Sequence, residues 1–400
     1  DTIFIVYLET VSSSDKVNDY ILKNLTNISS NKSKKIVNTD SILPGPNTKK
    51  IHDFDEIEFY ITSGFTIIIR NEDILAIETK ADINRAVSDS DSEAAINGPK
   101  DAFTENYQIN LGLIKRRLKS STLKTKEYIV GRKTNTSVGV LYFDDIADTD
   151  LLNLVTERIE KIDIDGIIDS SNIGQLLIDE QKIHFPTYIL TERPDNVAKA
   201  LLDGKIVIMV DTSPFAIILP AFFIDFINPG VDTYNKSKNV NFLKIIRLAC
   251  FFLSMIVPAI YIALINYNQE TIPTNLLVNF SVQRDGVPFP AFVEALGMLF
   301  ICEMLRESDL RFPNTYGSAI SILGALVLGD AAVSAGIVSP IMIIVISLTF
   351  MASLIFTEAE IVNALRHLRF LFIILASFYG ILGIVFGTIY FLIKMNNIYS

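Results

Sequence analysis

Tryptophan is absent from this 400-residue chain, cysteine occurs twice and histidine three times, and each scarcity removes a class of function. Cys250 and Cys302 both sit inside apolar runs, so no disulfide framework is expected and the thiols read as small buried side chains. His52, His184 and His367 lie far apart, without metal-ligand spacing and without a nucleophile beside them. No catalytic constellation, metal site or cofactor is therefore expected, and an enzyme is the least favoured class. The chain also lacks a glycine-rich phosphate loop ending in Lys-Ser/Thr, and it has no GxGxxG. Basic residues are in deficit as well: the formal net charge is −10 and no basic stripe is present, which argues against a nucleic-acid partner. No basic n-region or cleavage site precedes the opening run TIFIVYL, so the polar half is expected to stay in the cytosol.

What is abundant is apolar surface. Half the residues are hydrophobic and mean hydropathy is +0.37, too much for one ordinary soluble domain. The excess is uneven, because the chain is polar up to about Asp211 and apolar beyond it. In the polar part, TIFIVYL reads as a strand and Ser14 to Leu25 as a helix, with Asn27 to Lys50 as a surface loop. The runs IEFYITSG, FTIIIRN and DILAIETK read as hairpin strands, which gives a first α/β subdomain over 1–87. An acidic, Ser-rich linker and a helix over Ala102 to Leu118 occupy 88–125, and Lys115, Arg116 and Arg117 suit the negative end of that helix. A second α/β subdomain follows over 126–212. Its strands are VGVLYF and KIVIMVD, its helices are Asp148–Ile162, Ile173–Ile178 and Pro194–Leu202, and the alternation implies an open α/β layer. Asp144, Asp145, Asp148 and Asp150 read as turn formers and a helix cap rather than as a cation site.

Residues 213–400 predict an α-helical, multi-span membrane domain after this two-part soluble α/β domain. Asp211 to Asn228 is apolar but short, with Pro214, Pro220 and Asp225, and reads as an interfacial or re-entrant element. Lys236, Lys238, Lys244 and Arg247 precede a first span at Leu248 to Tyr267, which Pro258 is expected to kink. The second candidate, Phe289 to Glu307, carries Glu294, Glu303 and Arg306, and the next carries Asp330. A charge at mid-bilayer costs roughly 2.5 to 3.5 kcal/mol, so these four must face protein or water. Glu294 and Glu303 lie about two and a half turns apart, and one partner cannot serve both. Glu303 and Arg306 have the spacing of a local ion pair. Between Tyr316 and Ile337, small residues recur every four positions, with Gly317, Ala325 and Gly329 as the packing set. Gly383 and Gly387 form a similar pair in the last span, Phe370 to Lys394, which Arg366, His367 and Arg369 precede. Ile341 to Phe356 makes another span. The small face of Tyr316 to Ile337 serves either tight packing within one subunit or a pore repeated around a symmetry axis. In the second case Ser321, Gly324, Val327, Leu328 and Ala331 line it.

Several long runs resemble one family. They are GPKDAFTEN at Gly98 to Asn106, IKRRLK at Ile114 to Lys119, DIDGIIDS at Asp163 to Ser170 and TERPDNVAKALLDGKIVIMVDTSPFAIILPAFF at Thr191 to Phe223. Two more are GVPFPAFVEALGMLFICEMLRESDLRFP from Gly286 and GSAISILGALVLGDAAVSAGIVSP ending at Pro340. Together they resemble the A subunit of GerA-type spore germination receptors, over nearly the whole chain. The resemblance implies a multi-pass protein of the inner spore membrane with a cytosolic N-terminal domain. It further implies a homo-oligomer in contact with membrane lipid, assembled with a permease-like B subunit and a lipoprotein C subunit, that releases ions when small germinants are sensed. The alternative is a non-conducting scaffold that relays the signal.

Overall fold

The computed structural model describes residues 3–30, 48–51, 55–70, 73–81, 93, 98–177, 185–234, 237–311, 329–356 and 358–399. They form two units. The first holds Asp1–Asp179, Thr187–Ala221 and Gly230–Tyr234, and the second holds Glu180–Pro186, Phe222–Pro229 and Asn235–Ser400.

The first unit contains two sheets, and every strand pair in them is antiparallel. Strands β1 (Ile3–Val6), β2 (Thr48–Ile51), β3 (Phe65–Arg70) and β4 (Asp73–Glu78) make a four-stranded sheet in the order β1-β3-β4-β2. Alternate residues feed opposite faces, as the strand period of two requires. Ile68, Leu75 and Ile77 pack with Val17 and Ile21, which belong to α1 (Ser14–Val17) and the π-helical stretch Asn18–Leu22 that continues it into α2 (Lys23–Ser30). Ile67, Ile74 and Ala76 pack on the other face with Ile57, Tyr60 and Ile61 of α3 (Asp55–Thr62). The run IEFYITSG, expected as a strand, is thus mostly helix. Its apolar residues at 57, 60 and 61 have helical spacing, and a second face of the sheet needed cover. Residues 48–51, expected within a loop, are strand β2.

The second sheet has the order β5-β6-β8-β9-β7, from β5 (Leu123–Val130), β6 (Thr136–Phe143), β7 (Ile189–Thr191), β8 (Ile206–Val210) and β9 (Ala216–Leu219). Val138, Val140, Ile206, Ile208 and Ile217 face α5 (Thr149–Glu160) and α6 (Ser170–Leu177). Their neighbours Leu141, Val207, Met209, Ala216 and Ile218 face α4 (Tyr107–Arg117) and α7 (Pro194–Leu202). Cover on both faces explains the unbroken apolar run of β8. The open α/β layer expected from the alternation of strand and helix is antiparallel throughout; the connections at 131–135 and 211–215 are too short for parallel crossovers. Asp211 to Asn228 is corrected too: Ala216–Leu219 is strand β9, buried between β8 and β7, and Phe223–Ile227 is the short helix α8. An apolar run of four residues is long enough to fill a sheet and far too short to enter a bilayer. Asp148 caps α5, accepting from the backbone N–H groups of Asp150 and Leu151.

Tyr107 of α4 lies flat over Gly139 of β6 and donates from its hydroxyl to Glu127 at 3.1 Å. A Cβ at position 139 would sit 2.1 Å from the Tyr107 hydroxyl oxygen. Gly139→Ala is expected to lower stability by about 1–3 kcal/mol through overpacking. The check is the thermal unfolding midpoint of the chain in detergent, where an unchanged midpoint would remove this contact as a constraint.

The second unit is helical. Its main elements are α9 (Ser237–Asn266), α10 (Thr274–Arg284), α11 (Ala291–Arg311), α12 (Pro340–Ser353), α13 (Ala359–Tyr379) and α14 (Ile381–Tyr399), with further helical residues at 329–334. Phe370 to Lys394, expected as one span, is two helices. Gly380 ends α13 at φ +59°, a region that disfavours a side chain, and the chain folds back as α14. Consequently Arg366, His367 and Arg369 lie within α13 rather than ahead of a span. Among the described residues, α9 from Asn239 and all of α13 are long and apolar enough to cross a membrane, and two shorter apolar helices accompany them.

Candidate functional site: buried ion pairs of the helical unit

Two of the carboxylates of α11, Glu294 and Glu303, lie on opposite faces, and each meets partners from other helices. Glu294 has a fully buried side chain. Its Oε2 accepts from both the backbone N–H and the hydroxyl of Ser339, at 3.0 and 2.9 Å, and its Oε1 stands 3.2 Å from Arg284 at the end of α10. Ser339 is the residue preceding α12, with extended backbone, and Pro340 opens the helix. A carboxylate from α11 therefore caps α12, where orphan N–H groups and the positive helix end favour negative charge. Pro at that first position costs no hydrogen bond. Tyr261 of α9, Ala291, Met298, Val338 and Met342 pack around the pair. An apolar cavity of about 490 Å³ adjoins it, with Phe289, Val293, Met298 and Ala331 in its wall.

Glu303 belongs to a second cluster, farther along α11. Its Oε2 lies 2.9 Å from Arg366 and 3.7 Å from Arg306, and its Oε1 is 3.9 Å from Arg369. Arg306 also donates to the Ser353 hydroxyl at 2.9 Å and stacks 4.9 Å over the Phe350 ring. Arg369 is 2% exposed and donates from Nε to the Ser254 carbonyl at 2.7 Å. That carbonyl is available for a definite reason: Pro258, four residues on, has no N–H to give it. Pro258 thus leaves an acceptor that a guanidinium from α13 occupies. Ser254 and Tyr261 are seven residues apart on α9, so the two clusters lie about 10 Å apart along the bundle.

These contacts also fix helix directions. Glu294 meets Ser339 and Arg306 meets Ser353, so α11 and α12 run the same way. Arg369 meets Ser254 and Tyr267 donates to the Ser377 carbonyl at 2.7 Å, so α13 runs with α9. Gly387 faces Phe372 and Gly383 faces Leu375, so α14 runs against α13. A Cβ at 383 would fall 2.1 Å from the Leu375 carbonyl oxygen, and one at 387 would fall 2.9 Å from the Phe372 ring.

Of the residues named from spacing, Glu294, Glu303 and Arg306 are brought into the two clusters. Asp330 is not: it is exposed, with no ion pair among the described residues. It sits one turn before the helical stretch ends at 334. Ala331 is exposed and Gly329 buried, with 3.9 Å from a would-be Cβ to Ile343. Gly317, Ser321, Gly324, Ala325, Val327 and Leu328 lie outside the described residues, as do His52 and His184. Sequence reasoning missed Arg284, Arg366 and Arg369 as partners, because nothing in the local spacing joins them to α11. Arg366 and Arg369 offered one signal, being cations next to an apolar run without acids of their own.

A family model described as Bacillus/Clostridium GerA spore germination protein matches residues 1–400. Spore germination protein KA of Bacillus subtilis (strain 168) is 38% identical over 363 residues, which is 90% of this chain and 67% of that protein. Uncharacterized membrane protein YfkQ of the same organism is 34% identical over 403 residues, covering 99% of this chain and 78% of that one. The crystal structure of the N-terminal domain of the A subunit of the Bacillus megaterium spore germinant receptor GerK3 is 30% identical, with a TM-score of 0.41. It covers 56% of this chain and 84% of its own.

Proposed function

The chain belongs to the GerA spore germination protein family, and from that premise we propose that it is the membrane A subunit of a nutrient germinant receptor, acting as one copy in an oligomeric, ligand-gated ion channel. A role in spore germination comes with the family. The membrane assignment rests on an inverted distribution in the helical unit. Glu294 and Arg369 are buried, while Phe242, Ile245, Phe300, Ile344, Phe378 and Leu382 are each more than 60% exposed. Water would reverse that arrangement, whereas acyl chains favour it.

Helix direction supports a multi-pass path. The chain leaves α11 at one end of the bundle and enters α12 at the other, which is what a further span between them would require. This is the span expected for Tyr316 to Ile337, with Ser321, Gly324, Val327, Leu328 and Ala331 toward a shared pore. Arg247, Arg306, Arg366 and Lys394 gather at the end where α9 begins, which the positive-inside rule makes cytosolic. In this reading the first unit lies in the cytosol of the spore, the inner spore membrane holds the second, and a permease-like B subunit and a lipoprotein C subunit complete the receptor. Germinant binding elsewhere then shifts a closed-open equilibrium.

Widening a hydrophobic constriction favours wetting. Val327→Ala or Leu328→Ala is therefore expected to give germinant-independent ion release from spores, read as potassium efflux before any germinant is added. A wild-type response from assembled receptors would remove these positions from a pore. The size of the first unit favours a second reading, a non-conducting relay. Full-length protein in vesicles separates the two, since a relay conducts under no condition.

A further inference from the structure

The cluster around Glu303 is not electrically closed. Arg306, Arg366 and Arg369 bring three positive charges to one carboxylate, an excess of two, and among the described residues Glu303 is the one acid with which they pair. The residues between 312 and 328 contain no Asp or Glu to correct it. Two guanidinium nitrogens, Arg306 Nη1 and Arg366 Nε, are buried without a hydrogen-bond acceptor. Both oxygens of Glu303 also lack a hydrogen bond, so the ion pairs at 2.9–3.9 Å leave donors and acceptors of the cluster unsatisfied. Such buried donors are costly, and the planar forks of Arg306 and Arg366 suit the tetrahedral oxygens of phosphate.

Access comes from one side. The Arg366 side chain is 35% exposed, against 14% for Arg306 and 2% for Arg369. Exposed apolar residues adjoin the cluster in sequence, namely Met304, Met351 and Leu354. A ligand reaching Arg366 therefore passes apolar surface and ends on positive charge, which is the profile of a phospholipid with its phosphate inward and its chains outward.

We propose that Arg306 and Arg366, backed by Arg369, hold the phosphate group of an anionic phospholipid between α11 and α13. The proposal rests on the membrane reading above. Arg366 closes the site from outside, Arg306 supplies the second donor, and Arg369 keeps the local field positive while its own Nε stays on Ser254.

Full-length protein in phosphatidylcholine nanodiscs is titrated with phosphatidylglycerol, and its unfolding temperature and co-purifying lipid are measured. Phosphatidylglycerol is expected to raise the unfolding temperature, since a ligand of the folded state stabilises it. Arg366→Gln should retain about tenfold less phosphatidylglycerol, and Arg366→Lys an intermediate amount. Equal retention by wild type and Arg366→Gln overturns the site. No rise in the wild-type unfolding temperature also overturns it, and that arm needs no variant. Millimolar inorganic phosphate in neutral detergent is the third arm: a shift equal to that of phosphatidylglycerol assigns the site to the free ion and overturns the lipid. If the protein floats with neutral vesicles yet shows no preference for phosphatidylglycerol, this inference alone fails. If it floats with no vesicle, the membrane reading fails first.

Discussion

Arg193→Ala is expected to lower the stability of the N-terminal unit by about 3–5 kcal/mol, the scale for breaking a buried ion pair from one side. Arg193 is 1% exposed. Its Nε and Nη2 grip both oxygens of Asp195 at 3.1 and 2.7 Å, while Nη1 and Nη2 also donate to the carbonyls of Glu93 and Pro99. Tyr234 donates its hydroxyl to the same Asp195 oxygen at 2.8 Å. One guanidinium thus ties the linker, the start of α7 and the segment Gly230–Tyr234, which are far apart in sequence. Removing it leaves a buried carboxylate with one phenol for company. Arg193→Lys keeps the charge but loses the fork, so a smaller loss is expected.

The pair also sets an acid limit. Burial works to raise the Asp195 carboxyl, but the hydrogen bonds from Arg193 and Tyr234 outweigh it and hold the group below its usual range. A depressed folded value means that the stabilisation is complete above the unfolded value of about 3.9 and is lost as pH falls through the folded one. Wild-type stability should therefore decline below about pH 4, and Arg193→Ala should weaken that decline. Circular dichroism of the full chain in detergent, followed against temperature at several pH values, reads both effects. Identical midpoints for wild type and Arg193→Ala would show that the clamp contributes nothing.

Arg284→Ala should cost the helical unit a similar amount, about 3–5 kcal/mol, because it strands Glu294. That carboxylate has no exposed surface, and Ser339 supplies two neutral donors but no charge. Glu294→Gln in the same chain removes the stranded charge and keeps a carbonyl for Ser339. The double variant should therefore be more stable than Arg284→Ala alone, with a coupling of about 0.5–3 kcal/mol. Retention of a monodisperse species after heating in neutral detergent measures this. Strict additivity of the two substitutions would mean that Arg284 and Glu294 do not interact in the folded protein.

Much of the α/β part could be read from strand periods and turn residues, because β3, β4, β6 and β8 are local apolar runs with clear punctuation. The errors share a cause. IEFYITSG fits either a strand or a short helix, and a sheet with two faces to cover decides for α3. Ala216–Leu219 falls in a run that reads as interfacial or re-entrant by composition, yet an open position beside β8 makes it β9. In the helical part the same limit appears at Tyr379-Gly380, where apolar composition runs straight through a turn that only backbone conformation reveals.

By itself the sequence determined that the chain divides into a polar α/β part and an apolar helical part. It also determined that Glu294 and Glu303 need separate shelter, since helical periodicity puts them on opposite faces of α11. Only the tertiary structure decided what shelters them: Arg284 and Ser339 for one, Arg366 and Arg369 for the other. Periodicity governs directions within one helix, whereas a partner on another helix depends on which faces pack and in which direction each runs. The Ser254 carbonyl makes the same point: its vacancy is written in Pro258, but the guanidinium that fills it comes from 115 residues away.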